Sequence, residues 1–111
     1  MIRRGEVYWV DFRGSLGAEI RKVRPALVVS DDAHNEYMGT VTVVPMSSMT
    51  ARIKPHEVAV PEGLIGDGRP GRVKTHQLRA VDKKRLGEKL GVLPVGAMAD
   101  VDASLRIHLS L

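Results

Sequence analysis

Pro25-Ala26-Leu27-Val28-Val29-Ser30 is a short, almost continuous apolar run, bounded by proline on one side and by Asp31-Asp32 on the other. Its length and β-branched content fit a strand, and its lack of polar alternation fits one buried on both faces. Pro25 removes a ladder N–H, so it belongs at the start of that strand or at an edge. Working outward, Gly5–Phe12 reads as a first strand and carries Tyr8, Trp9 and Phe12. Thr40–Met46 reads as another, with Pro45 at its end or at a bulge, and His56–Val60 as a short alternating one. Arg72–Val81 reads as extended, with Arg72, Lys74 and His76 on one face by period two. That face turns apolar at Leu78 and Ala80, which points to a bulge. Residues 13–23 form a polar loop, and residues 61–71, rich in glycine and proline, form another. Helical spacing shows only at the C-terminus, where Met98, Val101, Leu105 and Leu109 recur after Ala97, with Asp102 and Arg106 as an i,i+4 pair. The expected fold is mainly β with a C-terminal helix: a small, strongly curved antiparallel sheet or barrel.

The chain has 111 residues, 43% of them hydrophobic and 27% charged, the balance of a globular domain rather than a disordered tail. A single domain over residues 1–111 is expected. There is no cysteine, which excludes disulfides, thiolate metal sites and cysteine nucleophiles and agrees with a reducing cytoplasm. Glu6 and Asp11 interrupt the apolar stretch a signal peptide needs, and no run approaches the roughly 18 residues that span a bilayer. A soluble, cytoplasmic protein without a membrane partner is the expectation. The net charge of +4 is unevenly spread. Residues 69–89 hold eight basic and two acidic side chains, whereas the remainder holds nine and eleven. A basic stretch on a near-neutral body outlines a polyanion binder, or else a solvated face kept for solubility.

Few residue patterns carry chemistry. Arg24 opens the most apolar strand, where its planar fork suits phosphate, or where it ties down the preceding loop through Glu19. Ser47-Ser48 follows Pro45-Met46 at a strand end, where a hydroxyl either points outward or satisfies turn backbone. The histidines at 34, 56, 76 and 108 lack metal-ligand spacing, so no metal is expected. Of the four, His76 stands out, inside the basic strand beside Lys74 and Gln77. Neither a nucleophile elbow nor a phosphate-binding glycine loop is present, and no cofactor is expected.

Several blocks together carry a resemblance. Arg4-Gly5-Glu6-Val7-Tyr8-Trp9-Val10-Asp11-Phe12, Gly17-Ala18-Glu19 followed by Arg24-Pro25-Ala26-Leu27-Val28-Val29-Ser30, and Val44-Pro45-Met46-Ser47-Ser48 resemble the MazF/PemK toxin family. So does Val73-Lys74-Thr75-His76-Gln77-Leu78-Arg79-Ala80-Val81-Asp82 followed by Arg85-Leu86. The blocks keep the family's order over nearly the whole chain. The resemblance implies a small SH3-like (CcdB/PemK-type) barrel, a homodimer, and a sequence-specific, metal-independent endoribonuclease that cuts single-stranded RNA. It also implies a cognate MazE-type antitoxin whose acidic, flexible tail occupies the RNA groove. A CcdB-like gyrase poison shares the fold, but such poisons end in Trp-Gly-Ile, whereas this chain ends Leu109-Ser110-Leu111. A non-catalytic nucleic-acid-binding module would need more stacking aromatics than four.

RNA cleavage of this kind uses the ribose 2′-hydroxyl as nucleophile and leaves a 2′,3′-cyclic phosphate and a 5′-hydroxyl. By the family pattern Arg24 and Ser47 contact the scissile phosphate, with Arg24 supplying fixed positive charge. Glu19 and His76 are the two candidates for the general base. His76 stands where many relatives have aspartate, and a neutral imidazole accepts a proton near pH 7. Lys74, Gln77, Arg79, Ser48 and Arg72 are expected to contact the RNA.

Overall fold

A strand with consecutive apolar side chains needs cover on both faces of its sheet, and Ala26, Leu27 and Val28 of β2 (Val23–Val28) are all fully buried. Leu27 packs with Val7, Val44, Met46, Val73 and Val101. Ala26 and Val28 face the other way, toward Val10, Phe12, Val41 and Val43. The computed structural model describes residues 1–18, 22–48, 52–64 and 69–111. Around β2 lie β1 (Glu6–Asp11), β3 (Thr40–Ser48), β4 (Glu57–Val60), β5 (Gly71–Lys74), β6 (Arg79–Asp82) and β7 (Leu86–Val92). Two helices, α1 (Asp32–Tyr37) and α2 (Val95–Leu109), and two 3-10 turns, Thr75–Gln77 and Lys83–Arg85, complete the described elements.

The strands form one antiparallel sheet in the order β4-β5-β3-β2-β1-β7, with β6 also on β3. Both faces of its centre are buried, so the sheet curves around two clusters; α2 seals one of them through Val101, with Met98 and Leu105 beside it. Among the described residues no ladder joins the edge strands β4 and β7, so the barrel expected from the resemblance is a strongly curved sheet that stays open.

The two prolines sit where the ladders stop. Val29 N–H donates to Thr42 O (3.0 Å), which makes the neighbouring Ala26–Pro45 pair one whose N–H positions point away from each other. Pro45 therefore faces the opposite edge of β3, and there pairing passes from β6 (Thr40–Val43) to β5 (Met46–Ser48). A residue without an N–H falls in the gap of that handover. Pro45 thus lies inside a long strand, not at its end. Pro25 likewise adjoins the end of the β2–β3 ladder, whose last recorded pair is Ala26–Pro45.

Three local expectations change. Helix α1 is a six-residue element capped by Asp31, whose carboxylate accepts from Ala33 N–H (3.0 Å), and its polar composition hid it from a periodicity reading. The run 72–81 is not continuously extended, because the 3-10 turn at Thr75–Gln77 separates β5 from β6 and takes His76 out of the row of Arg72 and Lys74. Helix α2 begins at Val95, and Asp102 pairs across the fold with Arg4 (2.5 Å). That guanidinium also donates to Val29 O (2.8 Å), so one side chain joins the chain's start to β2's end and to α2.

Strand β7 is held to β1 by a buried acid. The Glu6 carboxylate accepts from Arg3 N–H (2.6 Å) and the Tyr8 hydroxyl (2.8 Å) and pairs with Lys89. Burial raises the Glu6 pKa, but these donors and the Lys89 charge outweigh it and hold the carboxyl below its usual range. Burial and the adjacent carboxylate push the Tyr8 phenol up to about 12.

Because Leu27 is fully buried at the centre of the α2-side cluster, Leu27→Ala should cost about 2–5 kcal/mol. Urea unfolding should show a lower midpoint with the slope unchanged.

A candidate nucleic-acid interface

Strand register, rather than sequence proximity, assembles the polar residues. In the β3–β5 ladder Ser47 pairs with Arg72 and Ser48 with Gly71. Continuing the β2–β3 register from Ala26–Pro45 by two residues puts Arg24 level with Ser47. By that continuation Arg24 falls in line with the Ser47–Arg72 pair across three adjacent strands; Arg24 and Ser47 are half-buried and Arg72 is only 5% exposed.

Burying Arg72 requires a counter-charge. Glu57 on β4 provides it: Arg72 Nη1 donates to Glu57 Oε1 at 2.8 Å, and both side chains are almost fully enclosed. The same carboxylate accepts from Lys54 N–H (2.9 Å). Burial raises the Glu57 pKa, but the Lys54 N–H, Arg72 and the charge of Lys74 pull it below the usual range. Lys74, paired with Glu57 in the β4–β5 register, is half-buried two pairs further along from Arg72.

The 3-10 turn after β5 carries the next group. Gln77 Nε2 donates to Ala18 O (3.1 Å), which ties this turn to the loop before β2. Arg79 donates to the Ser15 hydroxyl and lies 5.5 Å over the Phe12 ring. Arg85 Nη1 donates to Asp11 O (2.9 Å) and Arg13 O (3.1 Å). Asp11 in turn holds the Arg13 guanidinium through both oxygens, and its carboxyl is drawn down to about 2, chiefly by the Arg13 hydrogen bond. Residues from 77 to 85 therefore brace the loop that leads into Arg24. Glu19, the other acid expected at the site, lies outside the described residues.

His76 is exposed on the same 3-10 turn and faces a different neighbour. Its ring meets that of His56 edge to face, with centroids 4.2 Å apart and planes at 76°. The two rings border a cleft of about 680 Å³, shared with Glu57, Asp100, Ser104 and His108. Burial lowers the His76 pKa first, and His56, Lys74 and His108 lower it further against the opposing charge of Glu57.

The structure therefore brings Arg24, Ser47, Ser48 and Arg72 onto adjacent strands, sets Gln77 and Arg79 against the β1–β2 loop, and places His76 and Lys74 at the other end of β5. Sequence reasoning missed Glu57 and His56. Glu57 had a signal, an acid on the alternating strand His56–Val60; His56 had none, because its partner is set by a turn. Among the described residues no group of three or more His, Asp or Glu is arranged to hold a metal ion.

Comparison with known proteins gives a consistent picture. The family described as PemK-like, MazF-like toxin of type II toxin-antitoxin system matches residues 3–109. Endoribonuclease MazF9 of Mycobacterium tuberculosis (strain ATCC 25618 / H37Rv) is 33% identical over 116 residues, covering 100% of this chain and 98% of that protein. A crystal structure of MazF from Deinococcus radiodurans superposes with a TM-score of 0.85 at 31% identity, covering 99% of this chain and 97% of that one. A mycobacterial endoribonuclease solved in complex with its cognate antitoxin matches with a TM-score of 0.79 at 27% identity, covering 100% and 97%.

The buried pair makes two linked predictions. Glu57→Gln removes the carboxylate that the buried Arg72 is paired with and should cost about 3–5 kcal/mol, whereas Glu57→Val with Arg72→Val should recover most of that loss in chemical denaturation. Because the Glu57 carboxyl is depressed in the folded state, its stabilisation is present above about pH 4.5 and is lost as pH falls below that. The acid-induced decline of stability should be shallower in the double variant.

Proposed function

The chain belongs to the PemK-like, MazF-like family of type II toxin–antitoxin toxins, and from that membership we propose that it is a sequence-specific endoribonuclease acting on single-stranded RNA such as mRNA. The observation that carries this reading is the row of Arg24 and Ser47 on adjacent strands, half-buried and backed by the enclosed Arg72. A guanidinium and a hydroxyl held at the same level on a rigid sheet suit one phosphate with its two non-bridging oxygens.

The ribose 2′-hydroxyl supplies the nucleophile, so the reaction runs without a metal or a protein nucleophile. A base takes the 2′ proton, O2′ attacks the adjacent phosphorus, and the P–O5′ bond breaks to leave a 2′,3′-cyclic phosphate and a 5′-hydroxyl. Arg24 stabilises the charge that builds on the phosphorane oxygens, and Ser47 donates one hydrogen bond. The arginine pKa, above about 12, suits it to electrostatics rather than to base work. The base is Glu19 or His76, of which His76 already has a neutral-leaning imidazole. Lys74, Ser48 and Gln77 contact the flanking RNA. Arg72 and Arg79 act from fixed positions: Arg72 lends charge to the row while paired with Glu57, and Arg79 shapes the loop over the groove.

Solved relatives from mycobacteria and from D. radiodurans are complexes of toxin with antitoxin. For this chain an acidic MazE-type tail is the expected antagonist, competing with RNA for the same basic row. Ile107, Leu109 and Leu111 at the end of α2 are exposed and supply apolar surface for a homodimer. No helix among the described residues is long and apolar enough to cross a membrane; for the proposed mRNA substrate a cytoplasmic activity is expected.

Incubation with a long single-stranded RNA in EDTA, followed by mapping of product ends, tests the proposal. Discrete cyclic-phosphate ends are expected. Arg24→Ala should lower kcat/KM by about 10²–10³, the effect of losing one donor to a developing oxyanion. Ser47→Ala should lower it by about tenfold, one neutral hydrogen bond. Undiminished cleavage by Arg24→Ala would sink the assignment.

A further inference from the structure

Arg24 owes its place to β1. The recorded β2–β3 ladder ends at Ala26–Pro45, two residues short of Arg24. On the other edge of β2, Val10 pairs with Arg24 and Asp11 with Val23, and Phe12 N–H donates to Lys22 O (3.1 Å). The last residues of β1 therefore set where β2 begins.

The far edge of β1 runs out of strand at the same level. The β1–β7 ladder has its last pair at Val10–Leu86, and Leu86 is the first residue of β7. Beyond that pair a side chain replaces the strand. Arg85 Nη1 donates to Asp11 O (2.9 Å) and to Arg13 O (3.1 Å). Phe12 N–H points at Lys22, so the Asp11 carbonyl of the same planar peptide points the other way, toward Arg85. One guanidinium nitrogen thus continues the ladder past the end of β7. Next to Arg13, Gly14 takes φ 94° and the chain leaves the strand direction, so no further pairing holds this root. The Asp11 carboxylate does not compete for Arg85, because both its oxygens are bound by Arg13. Arg85 is itself anchored: it closes the 3-10 turn Lys83–Arg85, in which Lys84 N–H donates to the Asp82 carboxylate (2.8 Å) and Lys83 N–H to Gly39 O (3.0 Å).

We infer that Arg85 is a positioning residue for the cleavage reaction. By holding the Asp11 and Arg13 carbonyls it fixes the end of β1 against which Arg24 is paired, and so fixes the Arg24 guanidinium for the phosphate. The inference rests on the RNA-cleavage reading above and adds the residue that aligns its main electrostatic group. Stabilising charge that builds in a transition state requires a donor already in place, and a misplacement of about 1 Å costs up to about 10²-fold. Arg85 is exposed, so the competing role for it is a direct contact with RNA phosphate. The two roles differ in whether Arg85 acts through Arg24.

A double-mutant cycle separates them. Cleavage of a single-stranded RNA spanning one mapped cut is followed in the wild-type chain, Arg85→Met, Arg24→Ala and the double variant. Arg85→Met should lower kcat about tenfold and leave KM within about twofold, the pattern of a group misaligned in the transition state. In the Arg24→Ala background the same substitution should change kcat by less than about twofold, because no guanidinium is left to misplace. The slope of log KM against log salt should match wild type, whereas loss of a direct phosphate contact would reduce it by about 0.7. Arg85→Lys keeps the charge and donors for the same carbonyls and should return kcat to within about threefold of wild type. Amide hydrogen exchange in Arg85→Met should quicken at the Val10–Arg24 end of the β1–β2 ladder and stay unchanged in the β3–β6 ladder. Equal kcat losses in both backgrounds, a shallower salt slope, or faster exchange throughout the sheet would overturn the positioning role while leaving cleavage by Arg24 intact. Absence of cleavage by the wild-type chain, or undiminished cleavage by Arg24→Ala, would instead overturn the underlying reading.

Discussion

Strand β3 carries ladders on both edges, to β2 along one and to β6 and then β5 along the other. The handover at Val44–Pro45 is where the sheet divides. Below it β3 belongs to the cluster around Phe12 and Val43, and beyond it Ser47 faces Arg72. The row of Arg24, Ser47 and Arg72 exists because one strand is shared by these neighbours. A one-residue slip in either ladder would turn Ser47 to the opposite face and break the row. Burial on both faces is what prevents such a slip, since it would expose Leu27 or Val44 to the wrong cluster.

The basic excess of residues 69–89 is less available to a polyanion than its total indicates. Arg72 is enclosed with Glu57, Arg79 and Arg85 brace the β1–β2 loop, and Lys89 pairs with Glu6 beneath Tyr8. Much of that charge organises the domain and shapes the groove. Under the proposed function, the charge that meets RNA, or a competing acidic tail, is a smaller set headed by Arg24 and Lys74. Positive charge fixed by internal partners needs no reorganisation when a phosphate arrives, which favours catalysis over mere attraction.

Legibility in the sequence followed the range of the interaction. The doubly buried β2, the central strands and α2 showed through local periodicity, and the family blocks pointed to Arg24 and Ser47. Helix α1 was hidden because it is short, polar and carried by a single capping aspartate. Strand β7 gives almost no signal, with Gly87 and Gly91 among charged residues, and it forms because Glu6 and the exposed edge of β1 receive it. The interruption at Thr75–Gln77 shows in the sequence only as a bulge, since a period-two pattern shows that a face changes but not how the backbone turns.

By itself the sequence determined which segments extend, which faces are apolar, that thiol chemistry is excluded, and which family's blocks the chain carries. These depend on side-chain chemistry and on a two- or 3.6-residue period, both local. Tertiary structure alone decided that Ser47 pairs with Arg72, that Arg72 is buried against Glu57, and that His56 meets His76. Each of these contacts joins residues on different strands or turns, and each is set by strand register or by a turn's hydrogen bonds. No local pattern encodes them, because the same residues in another register would satisfy the same periodicity and share no site.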